Sequence, residues 1–151
     1  MTAYARVAKG RNGTDWVVST NTATLGTIAT FPAMAGGAGG TVTHFGLGPE
    51  AIGGANDLVF FGAVTPNISV VAGVTPKLDT TTVITQAASD AMTTAAANKF
   101  LLLFFNNTDW AVVGDAAGLQ NSSAAGSLYL SLHTASPAES GNQSTNEISY
   151  T

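Results

Sequence analysis

Cysteine is absent from the 151 residues. That excludes disulfides, thiolate catalysis and cysteine-ligated metal sites, and it fits a protein made in a reducing cytoplasm. Charge is scarce. Asp, Glu, Lys and Arg together make up 9% of the chain, against roughly 25% in an average domain. With five basic residues, nine acidic ones and a net charge of −4, the composition argues against a nucleic-acid partner. Long bulky apolar runs are missing too. FLLLFF, Phe100 to Phe105, is far short of the ~20 residues that span a bilayer, so no membrane partner is expected. The opening MTAYARVAKG lacks the apolar stretch of a signal peptide.

What remains is apolar and small. Hydrophobic residues reach 45% and glycine numbers 17, with Thr, Ser and Asn supplying most of the polarity. Such a chain is not disordered, and its length suits one domain over 1–151 with a real core. A surface of hydroxyls and amides repels its neighbours weakly. It suits packing against copies of itself or against another assembly. The few charges are unevenly placed. Arg6, Lys9 and Arg11 are three of the five basic residues, and all the acidic ones follow them. These three cations are the candidate contact residues, a strip facing an acidic partner. The plainer reading makes them a solvated strand edge and turn.

Most of the chain reads as short strands between Gly, Pro and Asn. Tyr4–Ala8 alternates, Arg11–Gly13 is a turn, and DWVVST then completes a hairpin signal. TLGTIATF, TVTHFGL, DLVFFGAV and TTTVIT are further strands. In TPNISVVAGVTPKL, Pro66 and Pro76 suggest an edge or an irregular crossing. SLYLSLH, Ser127 to His133, puts Leu128, Leu130 and Leu132 on one face, and EISY is the last strand. Eight or nine strands at such spacing predict a mainly β fold, a jelly-roll-like antiparallel β-sandwich. Residues 88–118 are Ala-rich without alternation. They predict one or two short helices, the first capped by Ser89 or Asp90, the second entered at Thr108-Asp109.

The sequence predicts no catalytic, cofactor or metal site. His44 and His133 lack a spacing that pairs them for a metal, and each reads better as a hydrogen-bonded residue at a strand end. Ser131 and His133 come without a G-x-S-x-G elbow or a third member. The glycine runs lack a phosphate-binding pattern. Asp15 and Asp109 each precede a Trp, but no carboxylate separation can be read from sequence. Trp16 and Trp110 would stack on a sugar only if exposed, and core is the commoner fate. The echo between NGTDWVV at 12–18 and NNTDWAVV at 106–113 is too short to imply duplication. A non-enzymatic structural or binding role is favoured by elimination.

Placed end to end, the C-terminal and N-terminal stretches read as continuous sequence. Leu128–Ala135, Pro137–Gln143, Asn146–Thr151 and then Tyr4–Val7 resemble, in that order, a family of small virion proteins of tailed phages and prophages. The resemblance continues through Gly39–Gly48, Gly62–Leu78 and Thr80–Thr85, and the family's usual start resembles Asn98–Trp110. Residues 1–86 would then be the family's C-terminal part, 87–97 the join and 98–151 its N-terminal part. The rotated order implies a circular permutant, an engineered rearrangement with new ends inside a Tyr-Thr/Tyr-Ala-Arg-Val segment. That accounts for a chain whose last residues read as an interrupted strand. The resemblance implies a structural protein on the outer surface of the virion, made in the bacterial host cytoplasm. Its expected role is a cement or decoration protein, with the major capsid protein of a tailed phage and further copies of itself, as a homotrimer, for partners. The alternative is a tail or tail-fibre-associated module that binds host glycans.

Overall fold

A computed structural model describes residues 3–56, 58–86, 92–115 and 117–151. Among the described residues the fold is mainly β, with antiparallel strand pairs and one helix. In chain order the elements are β1 (Val7–Gly10), β2 (Trp16–Ser19), β3 (Thr22–Leu25), β4 (Ala29–Thr30), β5 (Gly40–Gly48), β6 (Phe60–Val70), β7 (Lys77–Leu78), β8 (Val83–Thr85), α1 (Thr94–Asn106) and β9 (Ser127–His133). They form sheets of order β1-β9-β5-β6, β2-β3-β8 and β4-β7. The chain divides into two compact units, each assembled from separated segments. One contains Met1–Lys9, Ala29–Leu78 and Leu128–Thr151; the other contains Gly10–Ile28 and Asp79–Ser127.

The first unit is built on β5 and β9. Phe45 pairs with Leu132 and Leu47 with Leu130. The two-residue period puts these side chains on one sheet face, and all four are buried. Phe31, Met34, Val42, Val70, Leu128, Ile148 and Tyr150 are buried as well. Pro66 lies within β6, the edge strand, as its missing N–H requires. The β5–β6 register shifts between Val42 and His44, and the extra β6 residues at that step include Pro66.

The second unit packs α1 on β2 and β3. Thr93 starts the helix, its hydroxyl accepting from the Ala96 N–H at 3.2 Å. Ala97, Leu101 and Phe105 recur at i, i+4 and i+8 and are its buried stripe. Phe105 meets the Trp16 ring at 4.6 Å between centroids. Asn107 ends the helix in the left-handed region, at φ 53°.

Several local expectations change. The helix cap expected at Ser89 or Asp90 falls outside the described residues, and the observed cap is Thr93. Among the described residues no helix follows Thr108. The Trp110 N–H and C=O are both taken by Leu119, at 3.0 and 2.9 Å, which leaves no helical bonding there. β1 and β2 do not form a hairpin, because they belong to different sheets. Neither Asn12 nor Gly13 is among the positive-φ residues, so the turn is not the type that joins paired strands. Instead the Asn12 carbonyl accepts the Trp16 N–H at 3.0 Å. TLGTIATF breaks into β3 and β4 around Gly26, whose N–H bonds the Asp15 carbonyl at 2.8 Å. A Cβ on Gly26 would lie 2.2 Å from the Thr14 carbonyl oxygen. EISY makes only an isolated bridge, Glu147 to His133, with the Ile148 N–H on the Leu132 carbonyl at 2.9 Å.

Candidate functional site

If Leu128, Leu130 and Leu132 face the apolar core, the two-residue period sends Tyr129, Ser131 and His133 to the opposite face. That face is polar yet buried, with Ser131 and His133 both at 0% exposure. Burial without partners would be costly, and each polar group has one. The Nδ1 of His133 lies 2.7 Å from the Thr145 carbonyl, and its Nε2 lies 2.8 Å from the Ser131 hydroxyl. A carbonyl only accepts, so Nδ1 carries the proton. In the neutral ring Nε2 then accepts from Ser131. Burial pushes the His133 pKa below its ordinary value and keeps the ring neutral, against smaller raising effects of Thr145 and Glu147.

The tight packing depends on glycine. Gly46 is the Cα partner of Ser131, and a Cβ there would lie 2.5 Å from His133 Nε2 and 2.7 Å from Ser131 Oγ. Gln143, at 0% exposure, is held at both ends: its Oε1 accepts the Glu50 N–H at 2.9 Å and its Nε2 donates to the Tyr129 carbonyl at 3.1 Å.

Arg6 closes this region. Its Nε and Nη2 donate to the two Glu147 carboxylate oxygens at 2.8 and 2.7 Å. Its remaining donors reach the Glu50 carbonyl at 3.1 Å, the Gly53 carbonyl at 2.6 Å and the Ser144 hydroxyl at 3.3 Å. The hydrogen bond to Glu147 raises the Arg6 pKa further, so its charge is permanent. The Tyr4 hydroxyl accepts the Leu132 N–H at 2.9 Å. Burial, with the Glu147 charge second, pushes its pKa up, so it stays protonated. Tyr4, Ala5, Arg6, Ala51, Ile52, Gly53, Ser144 and Glu147 line a shallow cleft of about 140 Å³.

The three cations expected to form a strip are placed quite differently. The Arg6 side chain is 3% exposed and Lys9 is 6% exposed. Arg11 donates to the Phe104 and Leu103 carbonyls, each at 2.6 Å, and to the Ser122 hydroxyl at 3.1 Å and the Ala125 carbonyl at 3.2 Å. Burial lowers its pKa. The structure therefore gives both arginines acceptors within their own unit.

His44 and His133, which no spacing paired, are Cα partners across β5 and β9. Both nitrogens of His133 already face protein groups, and His44 Nδ1 lies 2.9 Å from the Thr43 hydroxyl. Among the described residues no three His, Asp or Glu side chains gather as metal ligands would. Ser131 and His133 have the separation of a nucleophile and its base, but at 0% exposure neither meets a substrate. Asp15 accepts the Gly10 N–H and the Thr27 hydroxyl, both at 2.8 Å, and Asp109 accepts the Asn121 N–H at 2.7 Å. Trp16 is fully buried and Trp110 half-buried, so Trp16 offers no sugar platform.

Sequence reading missed Tyr4, Gln143, Glu147 and Gly46. One signal was available: the alternation that marks the three leucines also marks Ser131 and His133 as a second face. No protein-family model matches the chain, and neither does any curated protein or solved structure.

Proposed function

We propose that this chain is a non-enzymatic structural protein of a tailed-phage virion, a cement protein that binds the outer capsid surface and stabilises the assembled head. The reading includes a jelly-roll-like sandwich, a homotrimer and the major capsid protein as partner. The observation that carries it is the edge strand β6. No charged residue occurs between Asp57 and Lys77 in the sequence, and Val59, Phe61 and Val71 are 43%, 40% and 54% exposed. An uncharged edge with exposed apolar side chains is suited to a protein neighbour. Pro66 interrupts it, which opposes open-ended strand pairing while leaving Phe60–Thr65 for a specific contact. A lattice of many modest contacts stabilises the assembly by mass action.

The docking contact is assigned to this neutral edge rather than to Arg6, Lys9 and Arg11, because Arg6 and Arg11 have acceptors within the fold and Lys9 is buried. Family resemblance in rotated order adds support, because the segments that the family carries in succession lie side by side here. The Tyr4 N–H bonds the Tyr150 carbonyl at 3.1 Å.

The experiment is decoration of tailed-phage capsids followed by electron microscopy, at low and at high salt. Wild-type protein should decorate equally at both, since a contact without phosphate-like or rim charges is weakly screened. Phe61→Ser should reduce occupancy while leaving the circular-dichroism spectrum unchanged. Binding that collapses in high salt, or is untouched by Phe61→Ser, would assign the contact elsewhere. Protein found on the tail rather than the head would favour the host-binding alternative.

A further inference from the structure

Asn12-Gly13 is the one Asn-Gly step in the sequence. It lies in the turn after β1, and both residues are exposed. Both ends of the Asn12 side-chain amide are engaged within that turn. Its Oδ1 accepts the N–H groups of Thr14 and Asp15 at 2.8 and 2.9 Å. Its Nδ2 donates to Asp15 Oδ2 at 3.4 Å. Gly13 has no Cβ to obstruct approach, and the space where one would stand is open, with the Asn106 side-chain amide nearest at 4.0 Å.

We propose that Asn12 is a site of spontaneous deamidation in the folded protein, through a succinimide closed by the Gly13 backbone nitrogen. The Gly13 nitrogen forms a bond to Asn12 Cγ and gives up its proton. The Cγ–Nδ2 bond breaks and the nitrogen leaves as ammonia, taking that proton. Water then opens the ring at either carbonyl, giving aspartate or isoaspartate. Two backbone N–H groups on Oδ1 stabilise the negative charge that develops there on attack. Asp15 Oδ2, already hydrogen-bonded to the leaving nitrogen, is the carboxylate placed to carry the proton between the two nitrogens.

The product changes the turn. A carboxylate at position 12 stands beside Asp15, which also holds the Gly10 N–H and the Thr27 hydroxyl. The hydrogen bond between the two side chains is replaced by repulsion between like charges. The protein thereby carries a slow change of charge and of local stability at a defined position, a property separate from its proposed structural role.

The test is incubation of the full folded chain at mildly alkaline pH, followed by peptide mass mapping with chromatographic separation of isoaspartate from aspartate. Asn121 and Asn142, which are followed by Ser122 and Gln143, are internal controls in the same sample. Isoaspartate should accumulate at position 12 severalfold ahead of both controls. Gly13→Ala should remove most of it, and Asp15→Asn should slow it. Conversion at Asn12 no faster than at Asn121 and Asn142, or aspartate without isoaspartate, overturns the proposal. An undiminished rate in Asp15→Asn, in a variant shown to be folded, overturns the role given to that carboxylate. The comparison within the wild-type sample decides the site even if a variant fails to fold.

Discussion

Arg6 and Arg11 stand five positions apart in sequence and are handled by different physics. In the first unit the half-buried Arg6 meets the Glu147 carboxylate through two parallel, part-buried hydrogen bonds. In the second unit Arg11 is half-buried as well, and its four acceptors are neutral oxygens, two of them carbonyls in the last turn of α1. A guanidinium removed from water needs an opposite charge close by. A half-buried guanidinium can also be satisfied by the negative end of a helix. Composition cannot separate these cases, because they differ in the partners that the fold brings to each side chain.

The largest effect should come from breaking the first arrangement. Glu147→Ala leaves the half-buried Arg6 without its counter-charge, and should cost about 3 kcal/mol, the low end for removing one partner of a buried pair. Urea unfolding should show this as a lower midpoint. A loss under about 1 kcal/mol would place the pair among ordinary surface salt bridges and erase the contrast with Arg11.

Gly46→Ala comes next. The added methyl would lie 2.5 Å from His133 Nε2 and 2.7 Å from Ser131 Oγ. Overpacking of this kind costs about 1–3 kcal/mol. The same assay reads it, and an unchanged midpoint would show that the buried polar face is loosely packed. Arg11→Ala should follow at about 1–2 kcal/mol, from lost charge-assisted hydrogen bonds and the lost interaction with the helix end. If Arg11→Ala proved as damaging as Glu147→Ala, the two arginines would be equivalent and the charge of the partner would not be the variable that matters. Replacing Arg6, Lys9 and Arg11 together with Ser should unfold the protein, which a solvated strip would not do.

Acid should act on the unit that holds both histidines. The folded pKa of His133 is lowered from 6.5 by burial, so the unfolded chain binds the proton more readily. Stability from this group is fully present above pH 6.5 and is lost as the pH falls below it toward the folded value. Unfolding midpoints from pH 8 down to about pH 5.5, above the main carboxylate range, should be flat and then decline. A midpoint that rose on acidification would require His133 to be charged in the folded state.

The legible parts of the fold were those with local signals. SLYLSLH matches β9 at both ends, and the Ala-rich region contains α1, because periodicity within one element is set by its own residues. The partners of the site were not legible. Arg6 and Glu147 are 141 positions apart and Arg11 and Phe104 are 93 apart, and no local pattern encodes a meeting at that distance. The two Asn-x-Thr-Asp-Trp stretches make the same point. Trp16 enters β2 and is buried against Phe105, whereas Trp110 makes an isolated bridge with Leu119. Identical letters take different structures because their neighbours in space differ. The break at Gly26 was hidden for the same reason, since it is a close approach to Thr14 that forbids a side chain there.

The smallest expected effect isolates the helix that receives Arg11. At the N-terminal end of α1, the Thr93 hydroxyl satisfies the Ala96 N–H at 3.2 Å, and the first turn contains no acidic residue to assist it. Thr93 is exposed, so its replacement opens no cavity and the change reads the cap alone. Thr93→Ala should cost about 1 kcal/mol, the usual loss for such a cap, and Thr93→Asp should recover it and add a favourable charge at the positive end of the helix. Thermal or urea unfolding of the two variants beside Arg11→Ala would rank the ends of one helix. If Thr93→Ala cost more than Arg11→Ala, the N-terminal cap rather than the guanidinium would hold α1 in place, and the comparison between the two arginines would rest on Arg6 alone.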